Sequence, residues 1–423
     1  MRRIARENVP CALAALACCG VVGWLGLTTF VWGDYETEAL PAFTALVHGH
    51  LADFLRLAPA YGGSLVERAP FALVPGLWGG GSLAVYRAVA LPCLLACALL
   101  AVVLVAHMRR SGNPLPARAL AVLICAANPL ALKALELGHP EELLGACLCV
   151  AAVLLAAEGR SLWAGLALGL AVANKEWALL AAAPVLLALA PRRRAACAAF
   201  ALAVAAALLA PLLLAGSGGF AAAARASATP PGTIFHPWQL FWFFGHPAGT
   251  GASPSEAGAV VGPAWTGAIS HPAILAVGAL LGLALWWRQG RGSAIGLRPA
   301  LLALALLLML RCLLDTWDTG YYMLPMLLAL LAWEATGPPM RLHPLAALAT
   351  ALASLTFLWL PNHASGDVQA AVFLAWSLPL AALLAQRLSL PGAQLAPGIR
   401  NRLRRLAAQE MTVRPFSKPL RTS

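Results

Sequence analysis

Three carboxylate side chains stand close together in Gly33-Asp34-Tyr35-Glu36-Thr37-Glu38, directly after an apolar stretch near the N-terminus. A carboxylate at a water interface can act as a general base or can bind a divalent cation. The plainer interpretation is a solvated helix start, because acidic residues favour the positive end of a helix dipole. Asp34, Glu36 and Glu38 are therefore the candidate catalytic residues. Asp34 and Glu36 could bind a divalent cation, although their spacing does not require one.

Histidine and aromatic side chains are concentrated in a second segment, Phe235-His236-Pro237-Trp238-Gln239-Leu240-Phe241-Trp242-Phe243-Phe244-Gly245-His246. As a helix it would lie flat at the headgroup level of a membrane, where aromatic rings are favoured. The functional interpretation has the rings, including Trp238, lining a groove for substrate. His236 would then orient a phosphate or a hydroxyl group.

A third segment, Asp315-Thr316-Trp317-Asp318-Thr319-Gly320-Tyr321-Tyr322, follows an apolar run. Carboxylates and aromatic rings together commonly hold sugar hydroxyls, by hydrogen bonding and by ring contact. Asp315, Asp318 and Tyr321 are therefore candidate substrate-binding residues. The alternative is a capped turn followed by the aromatic belt of a membrane helix.

The composition decides which elements position these residues. The chain has 423 residues, of which 61% are hydrophobic and 11% charged, and its mean hydropathy is +0.78. Soluble domains are about 25% charged, and a soluble fold could not bury so much apolar surface. The net charge of +12 comes from short basic clusters between apolar runs, which is typical of membrane topology and not of nucleic-acid binding. The ten cysteines lie in or beside apolar runs and imply neither a disulfide framework nor a zinc site.

The apolar runs predict an all-α, polytopic bundle of about ten full spans, since a helix needs roughly twenty residues to cross a bilayer. We place them at 11–31, 83–107, 118–135, 141–157, 195–215, 272–288, 298–314, 321–336, 343–360 and 368–386. An amphipathic helix over Ala39–Leu57 should follow the first span. Residues 1–390 form one transmembrane domain, and 391–423 form a basic cytoplasmic tail that we expect to be disordered.

The segment 161–190 is predicted to be a short two-helix hairpin. Basic residues flank it on both sides, so both ends should be cytoplasmic, and the polar Asn174-Lys175-Glu176-Trp177 would lie at the turn. With this hairpin the basic clusters fall on the side of both termini, which makes that side the cytoplasm of a plasma-membrane protein. Most acidic residues, and the candidate chemistry, then lie outside.

The chain resembles the GT-C membrane glycosyltransferases, and most of all the actinobacterial family 87, mannosyltransferase-like type. The resemblance rests on Gly33-Asp34-Tyr35-Glu36, Ala39-Leu40-Pro41, Ala58-Pro59-Ala60-Tyr61-Gly62-Gly63-Ser64, Arg68-Ala69-Pro70-Phe71, Gly138-His139-Pro140-Glu141-Glu142, and Ala164-Gly165-Leu166-Ala167-Leu168-Gly169 running into Asn174-Lys175-Glu176-Trp177. Such enzymes take sugar from a polyprenyl-phosphate donor at the outer face. By this resemblance Asp34 activates the acceptor or is a metal-associated acid, and His139 and Glu141 bind substrate.

A lipid-phosphate donor needs cationic groups near the outer interface. Few basic residues lie there, and we expect Arg68, Lys175 and Arg311 to be the phosphate ligands. Lys175 could instead pair with Glu136 or Glu176 for a purely structural purpose, because an ionisable group at membrane depth is costly.

The leading hypothesis is a membrane glycosyltransferase that moves a mannosyl or arabinosyl unit from a polyprenyl phosphate to a lipid or glycan acceptor of the cell envelope. Its partners would be these substrates and membrane lipids, without nucleic acid. The sequence contains no phosphate-binding glycine loop, nucleophile elbow or His-Glu-x-x-His motif, which disfavours soluble nucleotide-sugar chemistry. The alternatives are a transporter or lipid flippase, which would place paired ionisable residues near mid-bilayer, and a scaffold for envelope assembly.

Overall fold

The computed structural model describes residues 2–28, 34–215, 236–247, 260–289 and 293–389. The α-helices are α1 (Arg2–Thr28), α2 (Leu40–Val47), α3 (Leu51–Arg56), α4 (Gly62–Leu73), α5 (Ser82–Arg110), α6 (Leu115–Ala126), α7 (Pro129–Leu137), α8 (Glu141–Ala157), α9 (Ser161–Asn174), α10 (Ala182–Ala188), α11 (Pro191–Leu214), α12 (Ala264–Gln289), α13 (Leu297–Leu314), α14 (Leu324–Ala335), α15 (Pro344–Ser354) and α16 (Gly366–Ser389).

Short elements connect these helices. Their bounds are Tyr35–Ala39 and Leu355–Trp359 for the π-helical turns, and Pro75–Trp78, Glu176–Ala181, Trp242–Phe244 and Leu360–Asn362 for the 3₁₀ turns. Two short strands, β1 (His246–Pro247) and β2 (Val260–Val261), pair antiparallel with His246 opposite Val261. The predicted tail 391–423 lies outside the described residues.

The predicted all-α membrane bundle is confirmed. Within the described ranges eight helices are long and apolar enough to cross a membrane. They are Val9–Thr28, Ser82–Arg110, Leu115–Leu137, Pro191–Leu214, Ala264–Gln289, Leu297–Leu314, Pro344–Asn362 and Gly366–Ser389. The remaining two predicted spans, 141–157 and 321–336, correspond to the shorter helices α8 and α14, which have 17 and 12 residues.

The predicted two-helix hairpin at 161–190 is also present. Lys175 has an extended backbone (φ −154°, ψ 136°) that ends α9 and starts the Glu176–Ala181 turn leading into α10. A Cβ atom at Gly165 or Gly169 would meet backbone oxygens of Cys197 and Ala201 at 2.7 and 2.6 Å. These two glycines, four residues apart, therefore let α9 pack closely on α11, as small residues do between membrane helices.

The charged residues divide between the two ends of the bundle. Arg110, Glu158 and Arg288 line one cavity of about 530 Å³ together with Ala188 at the end of α10. We call this the Arg110 end. Helix α5 leads from there over roughly 40 Å, at about 1.5 Å per residue, to the opposite end, which carries Asp34, His139 and Lys175. We call that the Asp34 end.

The segment after α1 differs from the single amphipathic helix predicted for Ala39–Leu57. It consists of the Tyr35–Ala39 turn, α2 and α3, with a break at Gly49, whose φ of +82° is left-handed. Tyr35 is buried and its ring lies 4.5 Å from that of Tyr86. Tyr86 in turn donates a hydrogen bond to the carbonyl of Leu135 at 2.5 Å. The start of the segment is thereby packed against α5 and α7.

The aromatic segment does not form the flat interfacial helix considered for it. Its described part, 236–247, contains only the three-residue turn Trp242–Phe244 and strand β1. The backbone N–H of Leu240 donates to the carbonyl of Leu313 at 2.9 Å, and the indole of Trp242 donates to Asp367 at 2.8 Å. These bonds attach the segment to the Asp34 ends of α13 and α16.

Candidate active site

Glu141, the first residue of α8, is fully buried and surrounded by positive charge. Its Oε2 accepts a hydrogen bond from Nη2 of Arg68 at 3.2 Å. Its Oε1 accepts one from Nδ1 of His139 at 2.7 Å and lies 3.4 Å from Nζ of Lys175. A buried carboxylate is tolerated only when it is paired and hydrogen-bonded. The start of α8 adds the positive end of its helix dipole.

The hairpin turn supplies the second half of this arrangement. Nζ of Lys175 also lies 3.3 Å from Oε1 of the buried Glu142, which accepts a hydrogen bond from the indole of Trp177 at 3.3 Å. The Asn174 side chain donates to the backbone carbonyl of Glu141 at 2.9 Å. Because the backbone is extended at Lys175, the side chains of Asn174, Lys175 and Trp177 all reach the beginning of α8.

His139 joins this buried cluster to Asp34. Its Nε2 lies 3.2 Å from Oδ2 of Asp34, and its Nδ1 bonds Glu141. Burial alone would lower the pKa of His139, but the charge of Glu141 and the hydrogen bonds to Asp34 and Glu141 raise it to about 9. The ring therefore carries both hydrogens at neutral pH and donates to a carboxylate on each side. We call Asp34, His139, Glu141, Arg68 and Lys175 the Glu141 network.

Asp34 is the exposed member of the network, with 49% of its side chain accessible. It is held near His139 by a close approach of two chain segments. Gly138 has φ +94°, and a Cβ atom at this position would lie 2.8 Å from the backbone nitrogen of Tyr35. Only glycine fits both the left-handed backbone and this contact.

Aromatic rings cover the network. Nζ of Lys175 lies 4.5 Å from the ring centroid of Tyr61, within the range of cation–π attraction. The imidazole of His139 lies 5.6 Å from the ring of Tyr61 and 5.0 Å from that of Tyr321. These rings reduce the access of water to the buried charges, which strengthens their mutual attraction.

A second cationic position lies beside the network at the end of α13. Arg311 is buried, and its guanidinium carbon lies 5.0 Å from the ring of Trp177 and 4.0 Å from that of Tyr322. Its Nη1 has no hydrogen-bond partner among the described residues. Asp315, four residues on, lies 3.6 Å from Nε2 of His271 instead.

Unpaired polar atoms accumulate in the turn that follows. Asp318 is fully buried, and neither of its carboxylate oxygens has a hydrogen-bond partner within the described ranges. Burial and the charge of Asp315 raise its pKa well above the ordinary value, which favours the protonated form. The hydroxyl of Thr316 and the indole N–H of Trp317 are likewise unpaired there. Buried polar atoms of this kind are normally satisfied by water or by a polar ligand.

A sequence model of glycosyltransferase family 87 matches residues 63–316, more than half of the chain. The chain belongs to glycosyltransferase family 87. No curated protein and no solved structure matches it. The matched range contains the Glu141 network apart from Asp34, and it includes Arg311 and Asp315. Together with the long apolar helices, the family makes the chain a multi-pass membrane glycosyltransferase.

The other predicted site residues of this family 87 chain differ in burial and in their contacts. Glu36 is exposed, whereas Glu38 is half-buried beside Tyr61, whose pKa is raised by burial and by the charges of Glu141 and Glu38. His236 stacks on Trp238 with a centroid distance of 5.9 Å and an interplanar angle of 2°. In the part of the chain that the structure describes, no group of three or more His, Cys, Asp or Glu side chains is arranged to hold a metal ion.

The structure corrects the alternative prediction that Lys175 pairs with Glu136 or Glu176. This lysine pairs with Glu141 and Glu142, not with Glu136 or Glu176, and Glu136 lies 3.7 Å from Lys133 instead. Glu142, Trp177 and Tyr61 were not predicted as site residues. Glu142 directly follows the predicted Glu141, Trp177 lies two residues after Lys175, and all three lie in quoted motifs, so the motifs could have indicated them.

Thermal stability should fall as the pH rises from about 6.5 to about 9, the ordinary and the folded-state pKa of His139. A group whose pKa is raised on folding stabilises the folded state fully below its unfolded pKa, and this contribution is lost as the pH rises through the folded pKa. Denaturation midpoints of the purified protein in detergent, at a series of pH values, measure the effect. The His139→Gln variant should lose most of this slope, and an unchanged slope would contradict the assigned protonation.

Proposed function

We propose that this glycosyltransferase moves a sugar, mannose or arabinose, from a polyprenyl-phosphate donor to a hydroxyl group of a cell-envelope lipid or glycan. The observation that carries the proposal is a half-exposed carboxylate, Asp34, held at the edge of a buried, ion-paired network. A base in this position can meet an acceptor arriving from water while the donor lies against the bundle.

The reaction requires one proton transfer and one bond exchange. The acceptor oxygen attacks the anomeric carbon as Asp34 takes the hydroxyl proton, and the bond between that carbon and the phosphate oxygen breaks. The polyprenyl phosphate leaves with the electron pair. Since phosphate is a good leaving group, the protein chiefly has to position the substrates, accept the proton and neutralise charge.

Arg311 is the best placed of the three predicted phosphate ligands. Arg68 and Lys175 are already paired with Glu141 and Glu142, so a phosphate would have to compete with buried carboxylates for them. Arg311 retains an unpaired Nη1 beside the two rings that flank it. A charge-assisted hydrogen bond to phosphate would satisfy this group.

The turn after α13 is proposed to hold the sugar. In the protonated form that burial favours, Asp318 would both donate and accept hydrogen bonds, as sugar hydroxyls do, and Asp315 and Tyr321 stand three residues on either side of it in the chain. His236 lies close enough for the charge of Asp315 to affect its pKa, and it stacks on Trp238. These two rings are proposed to extend the same binding surface.

The Asp34 end is proposed to face the outside of the plasma membrane. Basic residues are concentrated at the Arg110 end, and cytoplasmic ends of membrane helices carry an excess of Lys and Arg. Arg288 at that end donates hydrogen bonds to the carbonyls of Leu388 and Ser389, and Arg109 and Arg118 lie near Cys11 of α1. Both termini would then be cytoplasmic. A transporter is not favoured, because the buried ionisable network lies at one end of the bundle.

Replacing Asp34 by Asn should reduce sugar transfer by about 100-fold or more, the usual contribution of a general base. Membranes that contain the variant would be supplied with radiolabelled polyprenyl-phosphate mannose or arabinose, with and without chelator. Asp53→Asn, at an exposed carboxylate whose ion-pair partner in the described part of the chain is Arg56, is the matched control and should transfer normally. Full activity of the Asp34 variant would refute the mechanism.

Replacing Arg311 by Gln should raise the KM for the donor by roughly tenfold or more, as expected for the loss of a charged hydrogen bond. The Arg311→Lys variant keeps the charge and should bind the donor better than Arg311→Gln does. Initial rates at varied donor concentration measure the effect, with Arg56→Gln as the surface control. A donor KM that is the same in wild type and both variants would remove Arg311 from the phosphate site.

A further inference from the structure

His139 occupies a position that a substrate ligand could not share. It is buried, and both of its ring nitrogens are engaged by carboxylates, at 3.2 Å by Asp34 and at 2.7 Å by Glu141. A substrate could bond to the ring only by displacing one of these anions. The sequence resemblance implied substrate binding for His139 and Glu141, but their contacts describe a support for Asp34.

We propose that His139 is a positioning residue, which holds the carboxylate of Asp34 in the orientation for proton transfer by bridging it to the buried Glu141. The proposal rests on the proposed function, in which Asp34 is the base. The bridge occupies Oδ2 of Asp34 and thereby assigns the acceptor's proton to Oδ1. Without it, a half-exposed aspartate would sample several rotamers in water.

The bridge is rigid because each of its members is fixed by another element. Glu141 orients the imidazole from the start of α8, and Arg68 of α4 and Lys175 of the hairpin turn hold Glu141. Hydrogen-bonded supports of this kind generally determine how precisely a catalytic group is held.

The charges around His139 favour its cationic form in the resting enzyme. The carboxylates of Asp34 and Glu141 face the ring from two elements and attract its charge, and Lys175 opposes it. The rings of Tyr61 and Tyr321 also lie beside the imidazole. When Asp34 takes the acceptor's proton it becomes neutral, and the imidazolium stays paired with Glu141. Asp34 then releases the proton to water, which restores the resting state.

Two substitutions at His139 test the two hydrogen bonds of the bridge one at a time. In His139→Gln the side-chain amide can replace Nε2 and keep the bond to Asp34, whereas in His139→Asn it can replace Nδ1 and keep the bond to Glu141. We expect kcat to fall roughly 10- to 100-fold, the usual effect of losing such a support, and to fall further in the Asn variant. The KM for the donor should stay within about twofold, since His139 contacts no donor atom in this account. His48→Gln, at an exposed histidine whose ring bonds the Thr44 carbonyl within the described ranges, is the control and should behave as wild type.

The pH profile gives a readout that a merely structural histidine would not change. Wild-type activity should fall as the pH rises through about 9, because the neutral ring can donate to only one of its two partners. This fall in activity at alkaline pH should be absent from both His139 variants. Equal kcat and equal profiles in wild type and variants would overturn the proposal, as would an effect on KM alone.

A spectroscopic measurement tests the bridge without catalysis, and it applies even if the variants do not fold. The ¹⁵N shifts of histidine in the intact wild-type protein should include one ring that stays doubly protonated at pH 8. A full set of neutral rings at pH 8 would overturn the proposal. If Asp34→Asn is inactive while both His139 variants match wild type, this inference fails and the proposed function stands. If Asp34→Asn is active, the proposed function itself fails.

Discussion

The fully buried carboxylate of Glu141 is the constraint on which the rest of the site depends. A lone anion there would be prohibitively unstable, so the fold has to bring positive charge to it. Arg68, His139 and Lys175 come from three separate parts of the chain and meet at this one group. Arg68 depends on Glu141 in turn, whereas His139 also contacts Asp34 and Lys175 also contacts Glu142. Mutual neutralisation therefore fixes how α4, the α7–α8 connection and the hairpin turn lie relative to one another.

Because these charges depend on one another, the exposure of charged groups at the Asp34 end increases from the centre of the site to its edge. At its centre the charges are paired and covered by Tyr61 and Tyr321, and at its edge Asp34 remains half-exposed. A fixed interior lets one carboxylate face water without losing its orientation. Buried charges would destabilise an ordinary apolar core. In this site they fix the position of the reacting carboxylate. Catalytic sites commonly rely on polar groups that are fixed in advance in this way.

Much of the fold could be predicted because membrane helices are recognisable from composition alone. The hairpin at 161–190 followed from the basic residues on both of its sides, and Asp34 stood out because it directly follows an apolar run. The partners of Lys175 could not be predicted, because Glu141 and Glu136 are both distant in sequence and only tertiary packing brings one of them near. The interfacial helix considered for the aromatic segment is absent from its described part for a similar reason. Its bonds to Leu313 and Asp367 outweigh the local preference for an interfacial helix.

The central claim, that Glu141 organises the site by pairing with buried cations, is tested most directly by a double-mutant cycle. The free energy of unfolding would be measured for Glu141→Gln, Arg68→Gln and the double variant in mixed micelles. Glu141→Gln leaves Arg68 without its carboxylate partner, Arg68→Gln leaves Glu141 with His139 and Lys175 as its cations, and the double variant removes both members of the pair. The account predicts that the double variant loses less stability than the sum of the single losses, by roughly 0.5–3 kcal/mol. Strictly additive losses would contradict it.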